Sequence, residues 1–243
     1  MKVIVVMPAY NAEKTIEKTI ERLPSGIVHE IIVVDDCSRD KTADVVRSLM
    51  QKSAVPIHLE IHEQNQGYGG NQKTCYRKAL EHGADIVVMV HPDFQYDPQL
   101  VGYFVEYIQR GYFDMMMGSR IRNRRECQEG GMPTYKYYAN RALTLWENLL
   151  TGQNMSEWHS GMRAYRRTVL EKINFSVFSN DFIFDSQMLF SVLKKNLTIA
   201  ELPVPVHYFN EASSINLKRS MVYGLKTIWE SLKQRARIGI YKK

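Results

Sequence analysis

The feature that most constrains this chain is a series of short apolar runs, each followed by a stretch with helical spacing. "VIVVM" (3–7), "EIIVVDD" (30–36) and "DIVVMV" (85–90) are apolar at consecutive rather than alternate positions. A strand with one wet face alternates, so a strand apolar throughout needs cover on both faces. The intervening segments can supply it. "AEKTIEKTIERL" (12–23) puts Ile16, Ile20 and Leu23 on one face, and "DKTADVVRSLMQK" (40–52) has Ser38 or Asp40 placed to cap its start. "IHLEIH" (57–62) leads through "NQGYGG" to "NQKTCYRKALEHG" (71–83), and a helix-like stretch from Pro98 to Arg110 follows the fourth run. Strand–helix alternation in right-handed crossovers gives an α/β fold with a doubly wound, mostly parallel sheet flanked by helices.

The rhythm loosens after "FDMMMGSR" (113–120). The polar, glycine-bearing 121–135 reads as a mobile loop. A helix over 136–150, the segment "SEWHSGMRAYRR" (156–167), a helix over 185–195 and a short strand over 198–206 complete the body. No repeat or low-complexity linker interrupts it, so the expectation is a single domain over 1–217 followed by a basic tail, 218–243. That tail holds eight Lys and Arg against one acid, Glu230, a net of +7 that leaves the other 217 residues at −1. In it Met221, Leu225, Ile228, Trp229, Leu232 and Ala236 recur at spacings of three and four. Two readings are open: a helix lying on an anionic bilayer, or one packed on the body with a solvated basic face.

No run approaches the roughly 20 apolar residues of a spanning helix, and "MKVIVVMPAYN" suits a first strand better than a signal peptide. Three cysteines (Cys37, Cys75, Cys127), odd in number and without metal-type spacing, fit a reduced, cytoplasmic chain. The expected location is therefore the cytoplasm, with a peripheral place at the inner membrane face open.

In an open α/β sheet, ligands bind beyond the carboxyl ends of the strands. The first run delivers Pro8, Ala9, Tyr10 and Asn11 there, the second Asp35 and Asp36, the fourth His91, Asp93 and Gln95, and the fifth Gly118, Ser119 and Arg120. Neither G-x-G-x-x-G after the first strand nor G-x-x-x-x-G-K-[ST] occurs, so the two commonest phosphate cradles are absent. A diphosphate would then be neutralised by a divalent metal with few protein ligands. On an extended segment His91, Asp93 and Gln95 point the same way and make a sparse carboxylate–imidazole–amide site, better suited to Mn²⁺ than to Mg²⁺. The alternative is a strand-end turn whose His91 and Asp93 bond backbone.

The segments "VVMPAYNAEKTI", "EIIVVDDCSRDKT", "NQGYGGNQ", "VVMVHPDFQYDP", "MMGSR" and "SGMRAYRR" together resemble, in order and spacing, family 2 glycosyltransferases of the GT-A fold. Within that family the chain is most similar to dolichol- and polyprenyl-phosphate sugar synthases, from residue 3 to about 206. The resemblance implies that Pro8, Ala9, Tyr10 and Glu13 line the base and ribose of a nucleoside diphosphate sugar, with Asp35 and Asp36 hydrogen-bonding them. It implies that "HPDFQ" occupies the place of a D-x-D-x-Q metal motif, with His91 standing where the first aspartate would be, Asp93 at the second and Gln95 at the glutamine. The implied cofactor is a divalent metal, Mn²⁺ or Mg²⁺. Arg120 is implied to face an acceptor phosphate, and Ser160, Gly161 and Arg163 to lie near acceptor and sugar. Lys218 or Arg219 is implied to replace a missing arginine that clamps the donor diphosphate.

The reaction implied is inverting sugar transfer. A sugar hydroxyl needs a general base, for which Asp185, then Asp181 and Glu157, are candidates; a lipid phosphate is already anionic and needs only positioning. Asp185 has the alternative role of a helix N-terminal acid, and His159 either contacts the sugar or fills a loop. The expected acceptor is a polyprenyl phosphate or another membrane-associated lipid or glycan, with a soluble glycan as the alternative. Two other classes remain: a nucleotide-sugar-binding module that has lost catalysis, and a nucleotidyltransferase, whose glycine- and arginine-rich N-terminal loop is lacking. No nucleic-acid partner is expected; a homo-oligomer is open.

Overall fold

A computed structural model describes residues 1–121, 124–205 and 217–235, without the side chains of 217–219 and 235. The apolar runs become strands β1 (Val3–Ala9), β2 (Glu30–Asp35), β3 (Ile57–Ile61) and β4 (Ile86–Met89), joined by helices α1 (Ile16–Glu21), α2 (Thr42–Lys52) and α3 (Tyr68–Glu81). After β4 come α4 (Val101–Gln109), β5 (Met115–Ser119), α5 (Arg124–Glu129) and α6 (Thr134–Thr151). The chain continues through β6 (Arg163–Arg166), α7 (Arg167–Lys172), α8 (Phe184–Lys194), β7 (Ile199–Pro203) and α9 (Leu217–Arg235). The N-cap of α2 is Lys41 rather than Ser38 or Asp40, although Asp40, one residue earlier, accepts from Thr42 N–H at 3.0 Å. The expected loop over 121–135 contains the helix α5, whose Cys127 is buried against Ile121 and Met132.

The sheet order is β3-β2-β1-β4-β6-β5-β7. β3, β2, β1 and β4 run parallel, β6 is antiparallel to both β4 and β5, and β7 is parallel to β5. Apolar cover lies on both faces, as continuous apolar strands require. One core gathers Val3, Val5, Ile31, Val33 and Val88 under α1, α2 and α4; the other gathers Ile4, Val6, Ile32, Val34 and Val87 under α3 and α8. β6 was not legible as a strand because "RAYR" is half arginine. It inserts because Arg163 can be buried completely once its guanidinium finds carbonyl partners.

Candidate active site

The carboxyl ends of β1, β2 and β4 share one edge of the sheet, and backbone strain collects just past them. Asn11, Cys37 and Phe94, which follow those strands, all take left-handed conformations (φ 52°, 58° and 56°). For a bulky aromatic such as Phe94 that conformation is costly and persists only where surrounding structure fixes it. Phe94 corrects one expectation: His91, Asp93 and Gln95 do not lie along an extended segment. β4 stops at Met89 and the chain turns, with Asp93 Oδ1 accepting from Gln95 N–H at 3.1 Å. The turn nevertheless directs all three side chains into one cavity of about 590 Å³.

His91 is held from two sides. Its Nε2 lies 3.2 Å from the Tyr68 hydroxyl, which donates to Asp185 Oδ2 at 2.8 Å. A phenol has one proton to give, so His91 Nε2–H donates to the Tyr68 oxygen and Nδ1 is left as the imidazole's lone-pair nitrogen. Burial first, then the neighbouring Asp185 charge, pushes the Tyr68 phenol well above its ordinary pKa, so it stays protonated. Gly161 backs the ring: a Cβ there would collide with His91 Nε2. The "SG" of "SGMR" is thereby tied to His91.

Asp185 is the candidate base, and its carboxylate is engaged by Tyr68 and, at 3.1 Å, by Gln72 Nε2. It also occupies the first turn of α8, so the helix-dipole role is realised together with a place on the cavity wall. Arg163 departs from its expected place. It is fully buried and donates to the carbonyls of Ser160, Asp185 and Trp158, so it braces the wall instead of facing the donor. Burial alone would lower its pKa, but the Asp185 carboxylate and nearby phenols hold it above the ordinary value.

Arg120 lines the cavity beside these groups and is tethered to Glu157, donating Nε–H to Oε1 at 2.8 Å and backbone N–H to Oε2 at 2.7 Å. A further guanidinium N–H goes to the His159 carbonyl at 3.0 Å. Glu157 is wholly buried and also accepts from Asn140 Nδ2 at 2.9 Å. Burial pushes its carboxyl up, but the charge and hydrogen bonds of Arg120 outweigh this and hold it below the usual range. Lys136 of α6 joins Arg120 on the wall. Burial, then repulsion from Arg120, lowers its pKa.

The donor rim is built differently. Pro8 and Ala9 are buried at the end of β1, and Tyr10 is about half exposed, with its ring free to stack. Glu13 Oε2 accepts from Lys41 N–H at 2.9 Å. Asp35 is bonded by Ser38 through both its hydroxyl and its backbone N–H. Asp36 accepts from Gln66 N–H at 2.7 Å and Gly67 N–H at 3.0 Å and contacts His62 Nδ1 at 2.7 Å. Its carboxylate thus pins the "NQGYGG" turn, where Gly67 has φ 80°. None of these six lines the cavity. The Lys218 and Arg219 side chains, like residues 210–216, lie outside the described residues.

The cavity's far wall is apolar, with Met132, Leu143, Met221, Leu225 and Ile228 from the α6 region and α9. α9 docks through its polar side: Thr227 and Ser231 are buried, Ser231 accepts from Trp146 Nε1 at 2.9 Å, and Lys226 pairs with Asp181 at 2.7 Å. Tyr223 bonds His159 Nδ1 at 2.8 Å, and His159 Nε2 lies 3.1 Å from Oε2 of buried Glu147. The apolar stripe expected of this helix is exposed and divided: Met221, Leu225 and Ile228 border the cavity, while Trp229 and Leu232 lie off it, and Ala236 lies outside the described residues. Tyr68, Lys136, Asn140 and Tyr96 of the cavity went unread in the sequence. "NQGYGG" singled out a loop without showing that its tyrosine starts α3, and Lys136 is one basic residue among many.

Residues 4–174 match the family described as "Glycosyl transferase family 2". Among curated relatives, the UDP-N-acetylglucosamine–dolichyl-phosphate N-acetylglucosaminyltransferase of Methanococcus voltae is 30% identical over 217 residues, 85% of this chain and 86% of its own length. The undecaprenyl-phosphate mannosyltransferase of Micrococcus luteus is 26% identical, over 99% of this chain and 100% of its own. Among solved structures, glucosyl-3-phosphoglycerate synthase from Mycobacterium tuberculosis, in complex with Mn²⁺, uridine diphosphate and phosphoglyceric acid, superposes with a TM-score of 0.70 at 20% identity. The match covers 100% of this chain and 80% of that one.

Proposed function

The chain belongs to glycosyl transferase family 2, and on that premise we propose that it transfers a sugar, with inversion, from a nucleoside diphosphate sugar to a polyprenyl phosphate at a membrane surface. The observation that carries this reading is the cavity itself, in which two cations, Arg120 and Lys136, share walls with the apolar side chains of α9. A phosphate with a hydrocarbon tail matches both halves of that lining, and a soluble glycan matches neither. The two curated transferases above are named for dolichyl-phosphate and undecaprenyl-phosphate substrates.

The candidate bases favour the same acceptor. Asp185 is engaged by Tyr68 and Gln72, Glu157 by Arg120 and Asn140, and Asp181 by Lys226. A sugar hydroxyl would need one of these already hydrogen-bonded carboxylates to take its proton as well, whereas a phosphate oxygen is already nucleophilic. In this mechanism Arg120 and Lys136 hold the acceptor phosphate. One of its oxygens bonds to the anomeric carbon as the bond from that carbon to the nucleoside diphosphate breaks, and the diphosphate departs carrying the electron pair. The donor set of His91 Nδ1, Asp93 and the Gln95 amide fits a divalent cation that leaves positions for phosphate oxygens, Mn²⁺ better than Mg²⁺. When bound, such a cation supplies positive charge to the leaving diphosphate. Tyr68 keeps the imidazole in the ligating tautomer.

No helix among the described residues is long and apolar enough to cross a membrane. The outward stripe of α9, with Lys233 beside Trp229, suits a peripheral seat on an anionic bilayer, with the cavity opening beside it. The test is incubation with vesicles carrying polyprenyl phosphate, a panel of labelled nucleoside diphosphate sugars and Mn²⁺. Label extractable into organic solvent for one donor is the expected result. Transfer to water-soluble glycans alone would overturn the acceptor reading, and binding of every donor without turnover would leave a nucleotide-sugar-binding module.

A further inference from the structure

At the opposite end of the sheet, three side chains from three elements meet without any part in the reaction above. Glu30 opens β2, His58 lies on β3, and His82 caps the carboxyl end of α3. Strand periodicity puts Glu30 and His58 on the face that α3 covers, with Ile32 opposite His58 in the ladder. His82 Nδ1 is 3.0 Å and His58 Nε2 3.6 Å from the same oxygen, Glu30 Oε2, and one donor atom from each residue lies within 4.8 Å of the others. The two imidazoles meet edge to face, centroids 4.5 Å apart.

We propose that Glu30, His58 and His82 form a second metal site, for a transition ion of the Zn²⁺ class, that staples edge strand β3 to β2 and α3. Donor atoms about 2.0–2.1 Å from Zn²⁺ in tetrahedral array lie about 3.3 Å from one another, and the two distances to Glu30 Oε2 bracket that value. Two imidazoles and one carboxylate with a fourth position for water is a common zinc ligand set. The carboxylate is already oriented: Lys2 Nζ pairs with Glu30 Oε1 and donates to the His82 carbonyl at 2.8 Å, so Oε2 is the oxygen turned to the imidazoles. Lys2 also balances the Glu30 charge, so selection falls to the imidazole nitrogens, which favour Zn²⁺, Co²⁺ or Ni²⁺ over Mg²⁺.

α3 separates this site from the cavity by its whole length, about 20 Å for 14 residues. The two metals are therefore distinguishable. The experiment compares wild type, Asp93→Ala and the double variant His58→Gln/His82→Gln, alone and in the Asp93→Ala background, each stripped of metal and titrated with Zn²⁺ and, separately, Co²⁺. Wild type and Asp93→Ala are expected to retain one equivalent of Zn²⁺ on gel filtration, to melt at higher temperature with it, and to give the visible absorption of tetrahedral Co²⁺. The double variant in the Asp93→Ala background is expected to lose all three, and the double variant alone to keep its Mn²⁺-dependent turnover. In the Asp93→Ala background, retention and a melting shift unchanged by His58→Gln/His82→Gln would overturn the site. Should the double variant fold poorly, His82→Gln alone must weaken Zn²⁺ binding at least about tenfold, and an unchanged affinity would be equally fatal.

Discussion

The two rims of the catalytic end solve opposite problems. On the β1–β2 rim the acids are consumed by their own surroundings: Asp35 by Ser38, Asp36 by the amides of Gln66 and Gly67. On the β4–β5 rim, Arg120, Lys136, His91 and Asp93 face a cavity whose far wall, toward α9, is largely apolar. The first rim uses charge to fix loop shape, and the second holds charge ready for ligands. Substitutions on the first should therefore act through folding and donor affinity, and substitutions on the second through turnover and acceptor affinity.

Arg120 breaks that division most strongly, because it serves both purposes. Arg120→Ala leaves Glu157 buried without its cation, an expected loss of about 3–5 kcal/mol in stability, along with loss of transfer. The double variant Arg120→Met/Glu157→Gln removes the buried charge and should recover most of that stability in denaturant unfolding while transfer stays absent. Recovery of both would place Arg120 in the scaffold alone. The pair also sets an acid limit. The Glu157 pKa is depressed in the folded state, so its contribution is present above the unfolded value and is lost as pH falls through the folded one. Glu157→Gln should lack that acid-side decline.

Asp93→Asn should sharpen the comparison in the other direction. It lies on the ligand-facing rim and its only described hydrogen bond is to the Gln95 amide. Its loss should cost about 10²–10³ in kcat with no change in melting temperature. A comparable drop in stability would mean that the turn is the scaffold and the cation chemistry lies elsewhere.

How far each rim was legible follows from how each is built. β1, β2 and β4 announce themselves by consecutive apolar residues, and the polar residues at their ends follow in sequence, so the edge that carries the site could be read directly. What the side chains do there depends on partners far along the chain. Asp36 is claimed by a loop thirty residues on, and His91 by Tyr68, Gly161 and, through Tyr68, Asp185. Arg163 sits in a motif associated with substrate yet points into the core, because three carbonyls converge there. The stripe on α9 was visible, but not that Thr227 and Ser231 would be the side that docks.

Tyr68→Phe tests one of those long-range links. Without the hydroxyl, His91 loses the partner that fixes its tautomer, and Mn²⁺ affinity should fall about 10–100-fold. Donor binding measured without metal should stay the same. An unchanged Mn²⁺ affinity would show that the imidazole is held by Gly161 packing alone.

Lys136→Gln probes the acceptor rim with the smallest change. Removing one of two cations should raise the acceptor KM about tenfold, about 1.4 kcal/mol, with donor KM unaltered. The pH dependence gives an independent readout. Burial and Arg120 lower the folded-state pKa of Lys136, so between that value and the unfolded one the unfolded chain binds the extra proton, and stability should rise with pH across the window. The variant should lack that rise. A bound phosphate offsets the repulsion from Arg120 and raises the affinity of Lys136 for its proton. The acceptor KM of wild type should therefore climb as pH passes the depressed value, and that of the variant should stay flat there. Parallel profiles for the two proteins would remove Lys136 from the acceptor site and leave Arg120 as the cavity's anion-binding group.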